Sequence, residues 1–108
     1  MEEYVLVLTS TDSAEAAHEI ADSLVGDRLA ASAKVAGPMS STYWWDGEVV
    51  KAQEWQCWVK TRMDLYGQVE ATILRRHPYQ VPEIIAIPIR AGSRRYLAWM
   101  DEALAGES

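Results

Sequence analysis

The sequence predicts an α+β domain in which helices pack against one sheet that is built around a long antiparallel hairpin. The first observation is the pair Asp46-Gly47, which stands between two runs of aromatic and β-branched residues. Both positions of a two-residue hairpin turn require positive φ, which Asp and Gly tolerate, so this pair strongly indicates a hairpin. The second observation is that apolar runs of strand length alternate with stretches whose apolar residues recur at helical spacing.

Composition and charge restrict the class of protein. The chain has 108 residues, 49% of them hydrophobic, with a formal charge of −6 and one cysteine. We expect a single domain over residues 1–108 with an ordered core over residues 4–104. An acidic chain lacks the basic stripe of a nucleic-acid-binding face, and one cysteine suits a reducing compartment. No apolar run reaches the roughly 20 residues of a membrane span, and the acidic start is unlike a signal peptide. We therefore expect a cytoplasmic protein that binds neither nucleic acid nor membranes.

The chain begins with an apolar run, residues 4–9, that predicts a strand covered on both faces. Thr11, Asp12 and Ser13 then offer side-chain oxygens that cap a helix N-terminus. Apolar residues follow at the i, i+3, i+4, i+7 spacing of an amphipathic helix, and Gly26 is expected to end it. The stripe consists of Ala17, Ile20, Ala21 and Leu24.

The long hairpin is predicted over residues 31–62. Each arm could reach about 14 residues, or roughly 45 Å at the rise of a strand. A compact chain of this size has a radius of gyration near 13 Å. The hairpin should therefore project past its own domain, and another surface must receive it.

Side-chain alternation predicts a bulge inside this hairpin. A two-residue turn places Trp44 opposite Val49, and the same pairing continued to the base would set Ala33 opposite Lys60. That pairing mixes polar with apolar residues on both faces. One extra residue near Gly37-Pro38 corrects it, because Gly and Pro inside a strand mark bulges and bends. The corrected register puts Ala33 and Val35 on one face with Cys57 and Val59.

A second helix is predicted from an N-cap at Asp64 to Arg76, since the residue before Pro78 is pushed away from helical angles. Gly67 inside it costs up to about 1 kcal/mol relative to Ala, so we expect close packing at this position. The helix presents a core stripe of Leu65, Val69 and Ile73.

Residues 84–89 are apolar on both faces and predict a last strand, which Gly92 ends. A final helix is expected over residues 94–104, followed by a free tail over residues 105–108. The order strand, helix, strand, strand, helix, strand is the split β-α-β repeat of a ferredoxin-like sandwich. The predicted fold is this sandwich with an added C-terminal helix.

A ferredoxin-like sandwich has both main helices on one face of its sheet. The first and last strands are nevertheless apolar on both faces, and large exposed apolar patches usually mark interfaces. We therefore expect copies of the chain to assemble through the open sheet face with the help of the hairpin.

No familiar catalytic signature is present, whether phosphate loop, nucleophile elbow or Cys-x-x-Cys pair. Cys57 is flanked by aromatic residues in a strand and is expected to be a buried thiol. His18 shares a helix face with three carboxylates, which could hold a divalent ion but is typical of a solvated face. We expect a protein that is not an enzyme.

The loop of residues 77–83 is a more specific candidate site. Two prolines stiffen it between a helix and a strand, so that it presents His77, Tyr79 and Glu83 on a rigid backbone. A histidine at a helix C-terminus is biased toward its charged form. The residues alone leave open whether His77 binds a ligand or only caps the helix.

Lys60 lies in the middle of a predicted sheet, where a cation needs a carboxylate or an anion beside it. Glu54 or Glu83, from the same or a neighbouring subunit, is the expected partner. Where copies of the chain meet, we expect a cleft between subunits, and the candidate residues that line it are Lys60, His77, Tyr79, Glu83, Trp44 and Glu54.

Several short motifs fall in order along the chain. They are Asp27-Arg28-Leu29-Ala30-Ala31, Tyr43-Trp44-Trp45-Asp46-Gly47, Lys60-Thr61, His77-Pro78-Tyr79, Pro82-Glu83-Ile84-Ile85 and Tyr96-Leu97-Ala98-Trp99. With these motifs the chain resembles the CutA family of divalent-cation tolerance proteins over residues 4–104.

The resemblance implies a homotrimer with a shape related to PII-type signalling proteins, in which hairpins reach across subunits. It implies a non-enzymatic role in the response to divalent metal ions, copper among them. A metal ion or a small effector would bind at clefts between subunits, and His77 and Glu83 are the candidate metal ligands. The alternative is a purely structural trimeric scaffold for protein partners.

The chain departs from the family pattern at two positions. Ser32 stands where the family usually has a cysteine, and Gln80 stands where it usually has a glutamate. Both differences remove a good metal ligand, and without a thiolate little remains to select Cu(I).

Overall fold

The computed structural model describes residues 3–106 and contains a four-stranded antiparallel sheet with strand order β2-β3-β1-β4. The elements are β1 (Tyr4–Thr11), α1 (Ala14–Gly26), β2 (Ser32–Trp45), β3 (Glu48–Arg62), a 3₁₀ turn (Met63–Leu65), α2 (Tyr66–Arg76), β4 (Ile85–Ile89) and α3 (Arg94–Ala105). This order confirms the predicted ferredoxin-like sandwich with an added C-terminal helix. Ala105 belongs to α3 and Gly106 caps it in a left-handed conformation, while the rest of the predicted tail, residues 107–108, lies outside the described residues. Among the described helices, none is long and apolar enough to cross a membrane.

The main core lies between the sheet and the helices α1 and α2. Alternate residues of β1, such as Val5 and Val7, point into it and meet the predicted stripe of α1. Ser13 is the residue that caps α1, because its Oγ accepts a hydrogen bond from the backbone N–H of Ala16 at 3.1 Å. Gly26 is the last residue of α1, and the left-handed residue after it is Arg28, with φ of 60°.

The hairpin has the predicted turn and the predicted register. Asp46 and Gly47 have φ of 52° and 78°, as a type I′ turn requires. The pairing shifts between Ala36 and Met39, on either side of a cis Gly37-Pro38 peptide bond. This bulge separates a base embedded in the sheet from a projecting tip, and the folded chain is 45 Å long.

The start of α2 differs from the prediction. Asp64 does not cap the helix; it forms an ion pair with Arg62 at 3.1 Å, and Leu65 occupies the N-cap position without a side-chain bond. The expected close packing at Gly67 is also wrong, because a Cβ atom there would meet nothing within 4 Å. Val69 and Ile73 are buried as predicted, with Thr72 beside them.

A smaller second core joins α3 to the opposite face of the sheet. Met100 and Ala103 pack with Ala31, while the Tyr4 hydroxyl donates a hydrogen bond to Asp101 at 2.9 Å. The helix thus covers only the Tyr4 end of this face. The remainder stays open, and its exposed apolar residues are Trp58, Ile85 and Ile87.

Candidate functional site

A groove of about 900 Å³ lies between the hairpin tip and the loop that follows α2. Its floor is formed by Ser10 at the end of β1 and by Glu54, which lies opposite Met39 at the bulge. The bulge therefore sets the angle between the sheet and the hairpin arm that forms one wall. The lining residues come from four parts of the chain, namely Ser10 of β1, Glu54 of β3, residues 41–45 and residues 79–83.

The floor of the groove carries a carboxylate that is largely withdrawn from water. Only 8% of Glu54 is exposed, and the Tyr79 hydroxyl donates a hydrogen bond to its Oε2 at 2.6 Å. Burial raises the pKa of Tyr79, and the neighbouring Glu54 raises it further. Tyr79 therefore stays protonated and keeps donating to the carboxylate.

Ser10 holds two of the predicted residues at once. Its hydroxyl donates a hydrogen bond to Glu83 Oε1 at 3.0 Å, and its backbone oxygen is bonded to His77 Nε2 at 2.7 Å. The other ring nitrogen, Nδ1, accepts a hydrogen bond from the backbone N–H of Tyr79 at 3.1 Å. Because Nδ1 accepts, the assigned tautomer of His77 carries its proton on Nε2 and donates it to Ser10.

His77 directly follows α2, so its bond to Ser10 ties the end of this helix to β1, and its bond to Tyr79 fixes the loop beyond. We call this arrangement the His77 pin. Burial lowers the pKa of His77, and this effect outweighs the opposing influence of the Ser10 carbonyl, Asp12 and Glu54. The direction of this pKa shift is opposite to the expected bias toward a charged histidine, because burial disfavours the charged ring. Neither ring nitrogen has a free lone pair for a metal ion while the pin is intact. Within residues 3–106, no three His, Cys, Asp or Glu side chains lie close enough together to hold a metal.

Trp44 and Lys60 lie at opposite ends of the hairpin. Trp44 is 74% exposed at the tip and lines the groove. Lys60 does not reach the groove; its Nζ donates a hydrogen bond to the Tyr96 hydroxyl at 3.2 Å. Neither Glu54 nor Glu83, the carboxylates that we expected beside Lys60, is bonded to it within the described chain.

The structure brings Trp44, Glu54, Tyr79 and Glu83 to one groove and places His77 directly behind it. Sequence reasoning missed Ser10, the residue that joins His77 to Glu83. A signal for it was present, because the polar run Thr9-Ser10-Thr11 closes an otherwise apolar strand.

Cys57 and His18 take no part in this site. Cys57 is fully buried, as predicted, and burial raises its pKa to about 11, so the unreactive thiol form persists at neutral pH. The face of α1 that carries His18 is exposed, as expected for a solvated charge stripe.

The groove is suited to a positively charged ligand. Two carboxylates, those of Glu54 and Glu83, line it together with hydroxyl groups, and no Lys or Arg is found among the described residues that line it. Aromatic side chains of the hairpin form one wall, which presents rings to a cation. The arrangement can therefore bind a cation through oxygen ligands.

Comparisons with known proteins agree with the fold and the motifs. A family profile described as CutA1 divalent ion tolerance protein matches residues 5–103. A divalent-cation tolerance protein CutA from Thermus thermophilus is 43% identical over 102 residues, which cover 94% of this chain and 97% of that protein.

Solved structures give the same result. The Thermus thermophilus divalent cation tolerance protein superposes with a TM-score of 0.86 at 43% identity, covering 93% of this chain and 95% of that one. The divalent cation tolerance protein CutA of Archaeoglobus fulgidus, described as periplasmic, superposes with a TM-score of 0.90 at 34% identity over 94% and 98% of the two chains.

Proposed function

This chain belongs to the CutA1 family of divalent ion tolerance proteins, and from that premise we propose that it acts as a non-enzymatic homotrimer in the response to divalent metal ions. We propose that a divalent cation binds in the groove where one subunit meets the next. The observation that carries this proposal is the pair of carboxylates, Glu54 and Glu83, in a groove whose described lining contains no cationic side chain. Relatives from Thermus thermophilus and Yersinia pestis are named as divalent-cation tolerance proteins rather than as enzymes.

The donor set of the groove favours hard or borderline divalent ions. Carboxylate and hydroxyl oxygens suit Mg²⁺, Ca²⁺ and Mn²⁺, and carboxylates also bind Zn²⁺. Two carboxylates form an incomplete ligand set within one protomer, and a neighbouring subunit would supply further ligands. Glu54 is held in place by Tyr79 and Glu83 by Ser10, so both are oriented before an ion arrives.

Among the ions of copper, we propose that the groove binds Cu(II) and not Cu(I). Ser32 stands where the resemblance leads us to expect a cysteine, and His77 uses both ring nitrogens within the protein. The described lining residues therefore supply no thiolate or thioether, which are the groups that select Cu(I).

The homotrimer is supported by the open face of the sheet. Ile85 is 46% exposed and Ile87 is 44% exposed on an edge strand, and such apolar surface usually marks an interface.

Sedimentation equilibrium should give a mass three times that of the chain. Ile87→Asp should yield monomers, because a buried unpaired carboxylate costs several kcal/mol. Val25→Asp, at the end of α1 on the helical side, should leave the mass unchanged. A wild-type protein that sediments as a monomer would exclude the trimer.

A structural scaffold for protein partners is the alternative. In such a protein the polar residues of the cleft would all be engaged with one another and no groove would remain. His77 meets that description, but the groove of about 900 Å³ beside it is open. The open groove favours ligand binding over a purely structural role.

The cytoplasm is the compartment that we propose. The single cysteine of the chain is buried in the core, which is compatible with a reducing environment. The Archaeoglobus relative is described as periplasmic, so fractionation of the native host is the direct test of location.

Calorimetric titration with Mg²⁺, Mn²⁺, Zn²⁺ and Cu²⁺ tests the cation site. Glu54→Gln keeps the size of the side chain but removes its charge, and we expect at least about tenfold weaker binding of any ion that binds wild type. Glu48→Gln makes the same change at an exposed position of the same strand and should bind like wild type. Equal affinities for wild type and Glu54→Gln, or silence of wild type across the four ions, would contradict the proposal.

A further inference from the structure

A second polar cluster lies at the other end of the open sheet face, where β2, β3 and α3 meet. Ser32 and Lys60 are cross-strand partners, and Lys34 lies on the same face two residues further along β2. The Lys60 Nζ is 3.2 Å from the Tyr96 hydroxyl and 5.2 Å from the centre of the Tyr96 ring. None of these residues lines the groove described above.

Positive charge collects at this cluster without a counterion. The chain has 16 acidic and 10 basic residues, yet within residues 3–106 neither Lys34 nor Lys60 has a carboxylate within ion-pair distance. The first turn of α3 beside them contains Arg94 and Arg95 and no acidic residue. A partly buried ammonium in a sheet is unfavourable unless an anion or a carboxylate accompanies it.

The hydroxyl groups of the cluster are also underused. Ser32 Oγ is buried and makes no hydrogen bond of good geometry within the described chain. Burial alone would raise the pKa of Tyr96, but Lys60, Ser32 and Lys34 together lower it. The cluster therefore stabilises negative charge, and it holds a hydroxyl donor without an acceptor.

We propose that Lys60, Lys34, Ser32 and Tyr96 form a binding site for a small oxyanion, a phosphate or carboxylate group carried on an apolar body. Lysine ammonium groups supply the charge-assisted hydrogen bonds that such a group requires. The hydroxyls of Ser32 and Tyr96 supply further donors.

The apolar part of the ligand is indicated by the residues next to the cluster. Trp58 pairs across the strands with Lys34 and is 41% exposed. Trp99 lies beside Tyr96, with ring centres 5.5 Å apart, and it is also partly exposed. A flat apolar group joined to the anion would cover these rings, so an aromatic phosphate or carboxylate should bind more tightly than inorganic phosphate.

Inorganic phosphate, phenyl phosphate and benzoate are suitable probes for the assembled protein in solution. Tryptophan fluorescence and calorimetry should show saturable binding, tighter for the two aromatic probes than for inorganic phosphate. The comparison of phenyl phosphate with benzoate identifies which oxyanion the site prefers. Lys60→Met should weaken binding at least about tenfold, and Tyr96→Phe should weaken it about fivefold.

Lys51→Met is the matched control. It removes the same charge from an exposed position of β3 near the hairpin turn, so it reports any effect of net charge alone and should bind like wild type. Tyr96→Phe removes one oxygen atom and should leave the fold unchanged, which keeps the test decisive even if Lys60→Met destabilises the protein.

Two results would overturn the proposal. One is equal weakening by Lys60→Met and Lys51→Met, which would mean that the probes respond only to overall charge. The other is that none of the three probes binds wild type at millimolar concentration, as expected if a carboxylate of a neighbouring copy already neutralises Lys60. Neither result depends on whether Glu54 and Glu83 bind a cation, so the two sites succeed or fail separately.

Discussion

Gly37→Ala is expected to lower the free energy of unfolding by about 3 kcal/mol. A Cβ atom at this position would lie 2.5 Å from Trp55 Cδ1 and 3.0 Å from the backbone oxygen of Glu54. Gly37 also has φ of +158°, a value that side-chain-bearing residues rarely adopt. The contact with backbone of β3 cannot be relieved by a change of rotamer, so the bulge itself must shift. Because Glu54 belongs to the strand at this bulge, the same change should weaken cation binding in the groove.

Gly67→Ala is the matched control for this variant. Gly67 lies in α2 with nothing within 4 Å of the site of a Cβ atom. The substitution should therefore stabilise the protein by about 0.5 kcal/mol through the helix propensity of Ala and the lower entropy of the unfolded chain. Urea unfolding followed by tryptophan fluorescence, at one protein concentration for all variants, measures both effects. Equal stability of Gly37→Ala and wild type would show that the bulge does not require glycine.

His77→Ala is expected to cost about 3 kcal/mol at neutral pH. His77 is 9% exposed, and its removal leaves the Ser10 carbonyl and the Tyr79 N–H without their partner. It also opens a cavity between α2 and β1. The loop that carries Tyr79 and Glu83 would no longer be pinned to the sheet, so cation affinity should fall together with stability.

The stability difference between wild type and His77→Ala should depend on pH. The pKa of His77 is lowered in the folded protein, so below the ordinary histidine value of about 6.5 the unfolded chain binds a proton that the folded chain resists. The contribution of His77 is therefore complete above that value and is lost as pH falls toward the lowered pKa. We expect wild type to lose stability on acidification over this range and His77→Ala to lose less.

His18→Ala distinguishes this effect from the loss of any histidine. His18 is exposed on α1, so its removal should change stability at neutral pH by less than about 0.5 kcal/mol. If His77→Ala were as stable as wild type at neutral pH, the pin would not exist. His77 would then be free to act as a ligand.

Most of the fold could be predicted because local rules of the chain determine it. The turn at Asp46-Gly47, the alternation along both hairpin arms and the spacing of the α1 stripe each depend on residues that are close in sequence. The bulge near Gly37 could also be predicted from the sequence, because without it the register of the hairpin would place polar side chains on the core face. The start of α2 could not be predicted from the sequence, because Asp64 pairs with Arg62 instead of capping the helix.

The candidate site was predicted as a set of residues, but its geometry was not. Glu54, Tyr79 and Glu83 do line one groove, whereas Lys60 lies with Tyr96, a residue 36 positions away in the chain. The tautomer and the charge of His77 depend on the carbonyl of Ser10, 67 positions away. Such contacts carry no local pattern in the sequence.

The sequence by itself therefore determined the family, the strands and helices, the long hairpin with its bulge, and the apolar character of the open sheet face. Only the tertiary structure decided which polar groups meet. It bonded His77 to Ser10 and placed two carboxylates in a groove whose described lining has no Lys or Arg. Within residues 3–106 it left Lys34 and Lys60, at the far end of the same face, without a carboxylate at ion-pair distance. The physical reason is that secondary structure follows from short-range backbone and side-chain preferences. The ionisation and availability of a polar group depend instead on burial and on partners that folding brings from distant parts of the chain.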